Sequence, residues 1–158
     1  MRLTVLKHPH DHLRRKALPM PLSDINKPET QKLIKDMFET MKAENGVGLA
    51  AAQVDMNVRL IVVDDGSGPQ AYVNPVLTEK SWAKVASEEG CLSVPGVFGI
   101  VKRHRSVTYR AYDETGGQME GKTTGLLAII LQHEIDHLDG MLFIDRVERF
   151  IKESESKI

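Results

Sequence analysis

The chain has one cysteine, Cys91, so no intrachain disulfide can staple the fold. A lone thiol fits a reducing compartment, where it is inert, reactive or a metal ligand. No apolar run approaches the ~20 residues that cross a bilayer. The opening stretch, MRLTVLKHPH, lacks the apolar core of a secretory signal. The expectation is a cytoplasmic protein with no membrane partner. Charge of one sign is missing too: 21 Lys and Arg face 22 Asp and Glu, for a formal net charge of −1. Without a basic block, nucleic acid is disfavoured as a direct partner. The local run K102-RHR-105 reads equally well as a solvated strand end. Repeats, low-complexity tracts and linkers are absent as well.

What is present suits one domain spanning residues 1–158, with 41% hydrophobic and 27% charged residues. Pro9, Pro19 and Pro21 interrupt regular structure in the first 23 residues. A helix is expected over 28–44, with Pro28 near its start, Leu33, Ile34, Met37, Phe38 and Met41 at helical spacing, and Asn45-Gly46 as its stop. Strand-like patterns follow at 59–64, 70–77, 82–88, 97–101, 106–112 and 118–122, punctuated by D65-GSGP and E114-TGG turns. A last helix, capped by Thr123 or Thr124, runs to about Asp139 with Gly140 after it, and the polar residues from Glu148 onward are expected to fray. The fold class is α+β, with antiparallel strands packed around a central helix that carries an H-E-x-x-H motif.

That helix contains an anomaly. The apolar run L126-LAIIL-131 is followed by Q132-HEIDHLDG-140, which places ionisable groups on a helix that must be largely buried. His133 and His137, four residues apart, stand on one helix face and can converge on one point. Glu134 lies beside them, the arrangement in which two imidazoles bind a metal and a carboxylate handles a proton. A tetrahedral cation needs a third protein ligand and an open position for water. Asp145 is one source. Cys91, in the Gly/Pro-punctuated turn E88-EGCLSVPG-96, is the better one. A Cys/His/His/water set accepts zinc or ferrous iron. A second polar knot is G46-VGLAAAQ-53, where Gly46 and Gly48 imply tight turning or close backbone approach. Gln53 ends that run; its amide offers two N–H donors, suited to a developing oxyanion or to a backbone bond at the core edge.

G46-VGLAAAQ-53, E89-GCLS-93 and H133-EIDH-137 with L138-DG-140 together resemble the three signature motifs of the peptide deformylases, in order and in spacing, over nearly the whole chain. The resemblance implies Cys91, His133 and His137 as ligands of Fe(II), with Zn(II) or Ni(II) able to replace it. It implies Glu134 as the catalytic acid/base, and the Gln53 side chain with the Leu92 N–H as stabilisers of the formyl oxygen. Gly48 would belong to the segment lining the substrate cleft, and Glu89 with Arg103 would brace the metal site from behind. Ile130, one helical turn before Glu134, is a candidate wall for the methionine pocket. The implied activity removes the formyl group from the formyl-methionine terminus of newly made polypeptides and releases formate. The enzyme is expected to be monomeric and cytoplasmic, in a bacterium or in a host cell if phage-encoded. The chain departs from the family pattern at H8-PHDHLRR-15, so His8, His10 and His12 read as local structure, and the longer basic C-terminal helix that some bacterial members dock on the ribosome is not seen. A transient ribosome contact is left open. Two rival classes stand against this: a zinc endopeptidase, which leaves Cys91, the glycines and Gln53 without roles, and a structural or redox-sensing metal domain, which would close all four ligand positions.

Overall fold

The structure is a computed structural model that describes residues 1–152 and 155–157. Helix α1 (Pro28–Ala43) precedes a run of strands, β1 (Gly48–Ala50), β2 (Leu60–Asp64), β3 (Pro69–Lys80), β4 (Lys84–Cys91), β5 (Val94–His104), β6 (Ser106–Tyr112) and β7 (Gln118–Thr124). Helix α2 (Gly125–Leu138) and strand β8 (Val147–Ile151) follow. The strands form two antiparallel sheets, a five-stranded one in the order β1-β2-β3-β6-β7 and a three-stranded one in the order β4-β5-β8. No helix among the described residues is long and apolar enough to cross a membrane.

The unbroken apolar run of β2 explains the layering. A strand with polar residues on alternate positions can leave one face wet, whereas L60-IVV-63 needs cover on both. Leu60 and Val62 pack into one core cluster with Met37 and Met41 of α1. Ile61 and Val63 pack into another with Ile130, Leu131, Ile135 and Leu138 of α2. The two helices therefore cover opposite faces of the five-stranded sheet. The other flank of α2 is tied to the three-stranded sheet: Gln132 Oε1 accepts from the His104 N–H at 2.9 Å, and its Nε2 donates to the His104 carbonyl at 3.0 Å. A smaller cluster of Leu13, Val94, Val101, Leu142 and Phe143 fills the space beneath β5.

Both helices end where the sequence marks them. Pro28 sits in the first turn of α1, and Asn45 takes a left-handed φ of 56° while the Gly46 N–H returns to the Met41 carbonyl at 2.9 Å. Thr124 occupies the N-cap of α2, yet its side chain makes no capping bond. Gly140, at φ 76°, closes α2 where an added Cβ would lie 2.8 Å from the Arg14 carbonyl carbon.

The expected picture of strands gathered around a central H-E-x-x-H helix is corrected. The class is α+β, but the strands form two separate sheets and the apolar β2 is covered by a helix on each face, so no single helix is central. The H-E-x-x-H motif does not by itself define the site either, because the potential metal ligands are Cys91, His133 and His137, drawn from β4 as well as α2. Strand β1 was not anticipated, and part of the tail expected to fray is β8, which pairs with β5 from Val147 to Ile151. Residues 153, 154 and 158 of that tail lie outside the described residues. Trp82, expected in a strand, instead occupies the turn between β3 and β4 and is 98% exposed.

Candidate active site

Two elements meet at the site. Strand β4 ends at Cys91, where a tight turn through Leu92 and Ser93 reverses the chain into β5, with Cys91 paired to Val94. Opposite, α2 presents His133 and His137 on one face. The sulfur of Cys91 and one ring nitrogen from each histidine lie within 4.8 Å of one another, and Cys91 Sγ is 3.3 Å from His137 Nε2. Ligand bonds of about 2.0–2.3 Å suit one cation between three such atoms. The donor chemistry fits as well, since a thiolate with two imidazoles is the set for zinc or ferrous iron rather than for magnesium or calcium.

Hydrogen bonds behind the cluster fix its orientation. His133 Nδ1 is 2.9 Å from Glu89 Oε1, which leaves Nε2 to face the other donors. Glu89 in turn accepts from Arg103 Nε at 2.8 Å and Nη2 at 2.7 Å, and Arg103 Nη1 donates to Asp136 at 2.7 Å. Asp136 also accepts from Arg146, at 2.7 and 3.0 Å. Glu89 and Arg103 are 5% and 3% exposed, so each is the other's main compensation for burial. Although burial opposes ionisation, the bonds from Arg103 and His133 hold Glu89 down at about 2.

Glu134 projects from α2 beside the cluster and is buried. Its Oε2 has no partner among the described residues. Such an orphan in a ligand cluster marks a place for a water or a reacting group. Burial pushes its carboxyl up to about 7, with repulsion from Glu89 adding to the effect and His133 opposing it. Gly48 makes room for this carboxyl: an added Cβ there would come within 2.8 Å of Glu134 Cγ and Cδ. The two histidines diverge. His137 is driven well below its ordinary value by burial and by the positive charge of His133, and its Nδ1 has no partner among the described residues. His133 is held well above it by Cys91 and Glu89 although burial opposes them.

Gln53 closes the third side. It stands in a one-turn 3₁₀ helix, Ala51–Val54, directly after β1, and is 2% exposed. Its Oε1 accepts from the Ala50 N–H at 2.8 Å, which turns Nε2 toward Ser93 Oγ at 3.1 Å and Cys91 Sγ at 3.6 Å. Leu92, half-buried at the hairpin tip, has its carbonyl held by Lys7 Nζ at 2.6 Å. The structure thus brings together Cys91, His133, His137, Glu134, Gln53, Gly48, Glu89 and Arg103. It places Ile130 elsewhere, 3% exposed in the core between α2 and the five-stranded sheet. Sequence reasoning missed Ser93 and Asp136. Ser93 lies inside the quoted turn and is fully buried beside Gln53. Asp136 lies inside the histidine motif, where its spacing from Arg103 and Arg146 carries no signal of pairing.

The polypeptide deformylase family model matches residues 2–153. The peptide deformylase 2 of Xanthomonas campestris pv. campestris is 42% identical, over 98% of this chain and 92% of its own. Among solved structures, the Met-Ala-Ser-bound class I type b peptide deformylase of Acinetobacter baumannii superposes with a TM-score of 0.89 at 35% identity, covering 93% of this chain and 99% of that one. The Thermotoga maritima peptide deformylase gives 0.90 at 35% identity, over 94% and 99%. Likeness of this extent, in sequence and in backbone, accounts for a cysteine sulfur and two imidazoles meeting a buried glutamate here: the chain belongs to the peptide deformylase family.

Proposed function

We propose the following division of labour for metal-dependent removal of N-formyl groups from newly made polypeptides. Cys91 Sγ and the Nε2 atoms of His133 and His137 hold a divalent cation, Fe(II) in the working enzyme, with Zn(II) or Ni(II) as replacements. When bound, the cation supplies a Lewis acid that makes water nucleophilic near neutral pH. Three donors converge among the described residues, the number a catalytic site takes from the protein, whereas a structural site takes four.

Glu134 takes a proton from the attacking water as a C–O bond forms at the formyl carbon. It then delivers that proton to the amine nitrogen as the C–N bond breaks, giving formate and a free N-terminus. Negative charge growing on the formyl oxygen is met by the Gln53 Nε2–H and the Leu92 N–H. Glu89, with Arg103 and Asp136 behind it, keeps His133 Nε2 turned to the cation. The substrate backbone lies extended along β1, whose outer edge pairs with no strand among the described residues; this mode reads backbone and tolerates many second residues. Gly48 on that strand borders the place for the methionine side chain, and Ile130, held in the core, does not. The related Acinetobacter baumannii enzyme binds Met-Ala-Ser, a peptide that begins with methionine.

Residues 1–158 act as one monomeric catalytic domain. A cytoplasmic setting suits it, because the Cys91 thiol needs a reducing compartment. The observation that carries this reading is the buried Glu134 carboxyl, its Oε2 without a partner among the described residues, beside the Cys91, His133 and His137 cluster. The test is formate release from a short formyl-methionyl peptide by anaerobic, Fe(II)-loaded protein, compared with Glu134→Ala. Turnover lost in the variant while its metal content holds is expected. Absence of turnover in a fully loaded native protein overturns the reading.

A further inference from the structure

Trp82 is the chain's one tryptophan, and it stands in water, 98% exposed. Tryptophan is highly buried on average, so an indole this open to water is unusual, and its meaning depends on what surrounds it. Its loop is not slack. The Ser81 N–H donates to the Ser106 carbonyl at 2.9 Å, Ser81 Oγ donates to the Ala83 carbonyl at 2.7 Å and accepts from the Ser106 N–H at 3.0 Å, and the Arg105 N–H donates to the Ala83 carbonyl at 2.9 Å. The indole is therefore held out by a turn fastened on both sides.

The surroundings are basic. Lys80 and Lys84 flank the turn, and with Lys102 they line a cavity of about 270 Å³ between the two sheets. The carboxylates in that cavity are paired with arginines that also line it, Asp136 with Arg103 and Arg146, Asp139 with Arg59. Lys80, Lys84 and Lys102 have no ion pair among the described residues, and exposed Arg105 stands beside them without one. A net charge of −1 conceals this local excess. The α2 residues on the cavity are Gln132, Ile135 and Asp136, whereas His133, Glu134 and His137 are not among its lining, so an occupant would leave the metal cluster open.

We propose that Trp82 and the Lys80, Lys84 and Lys102 cluster form a binding surface for single-stranded RNA, with an unstacked base on the indole and backbone phosphates on the lysines. A rigid exposed aromatic beside a basic cleft is the pairing that single strands use, stacking for the base and charge for the backbone. A bilayer suits it less well. Among the described residues Trp82 and half-exposed Val76 are the apolar side chains that project here, too few for an amphipathic anchor, and lysines that line a concavity are poorly placed for a flat anionic surface. The assignment is independent of the deformylase reading.

Because the chain has one tryptophan, its emission reports this surface alone. Metal-loaded protein would be titrated with a mixed-sequence RNA of about 12 nucleotides, within the range of single-strand site sizes, at several salt concentrations. Quenching is expected, with log Kobs falling against log[salt] at a slope of about −2 for three phosphates. With dye-labelled RNA, Trp82→Ala should weaken binding roughly 10-fold. A Lys80→Gln/Lys84→Gln/Lys102→Gln variant should flatten the salt slope. Both variants should deformylate a short peptide at the native rate, which shows the fold intact. Unchanged emission at low salt overturns the proposal, as does equal affinity in the Trp82 variant. A response to phosphatidylserine vesicles with none to RNA overturns it in favour of a membrane.

Discussion

Gly48→Ala should disable the enzyme without unfolding it. Gly48 lies in β1 and does not take a positive φ, so alanine fits the backbone. The obstacle is one side chain, since the new Cβ would stand 2.8 Å from both Cγ and Cδ of Glu134. Carbon atoms at rest sit about 3.5–4.0 Å apart, so the carboxyl must move by roughly 1 Å. A displacement of that size can cost on the order of 100-fold in rate, which corresponds to about 2.7 kcal/mol of activation free energy. Because a side chain yields rather than backbone, the melting temperature should shift by only a few degrees. The assay is formate release at saturating formyl-methionyl peptide, with metal content and Tm measured on the same preparation. A kcat within threefold of native would refute the reasoning. A rise in KM with kcat unchanged would show instead that Gly48 serves the substrate cleft and not Glu134.

Three further outcomes are expected. Glu89→Gln should weaken metal affinity about 10–100-fold. It should also remove a pH-dependent contribution to stability: Glu89 is depressed to about 2, so its contribution is full above the ordinary carboxyl value of 4.5 and fades as pH falls toward 2. Thermal melts across pH should show native and variant far apart near neutrality, by about 3 kcal/mol, and converging in acid; a gap that stays constant with pH would contradict this. Gln53→Ala should lower kcat on the order of 100-fold or more with little effect on KM, and an unchanged kcat would remove Gln53 from the reaction. Loading the apoprotein with a divalent cation below neutral pH should release protons, because burial holds Glu134 up at about 7 and His133 is held up by Cys91 and Glu89. Calorimetry in buffers of different ionisation enthalpy measures that release, and a value of zero would show the site to be deprotonated already.

The parts of the molecule legible in the sequence are those whose signal is local. Helix α1 announces itself by spacing, by Pro28 and by Asn45, and α2 by its apolar run with His133 and His137 four apart. The five-stranded sheet is partly legible for the same reason, since β6 was expected at 106–112 and is Ser106–Tyr112. Strand β1 escaped because G48-LA-50 is too short to show alternation, and its extended form is imposed by pairing with β2. Strand β8 escaped because V147-ERFI-151 looks like a polar tail until β5 offers it a partner. At the site, Cys91, Gln53 and Glu134 could be singled out as misfits in apolar or turn segments. The contact between Gly48 and Glu134 could not, because it joins two elements that the chain itself keeps 86 residues apart.

The burial of so many ionisable groups on α2 has a common resolution. Each group left in the core is compensated from a different direction, by elements the helix meets only in the folded chain. On one flank, Asp136 is neutralised by Arg103 and Arg146. Through Arg103 the same network reaches Glu89, and through Glu89 it reaches His133. The apolar stripe of Ile130, Leu131, Ile135 and Leu138 anchors the helix to the sheet, so these polar contacts need only orient it. Glu134 and His137 are the exceptions: among the described residues Glu134 Oε2 and His137 Nδ1 have no partner, and the Glu134 carboxyl is raised to about 7. An uncompensated carboxyl of that kind destabilises the metal-free fold. It also supplies what the reaction requires, a group that can gain and lose a proton near neutral pH. The same residue therefore sets stability against activity, and Glu134→Gln should raise the Tm of the apoprotein while abolishing formate release. A variant that loses both activity and stability would place Glu134 in the framework of the fold rather than in its chemistry.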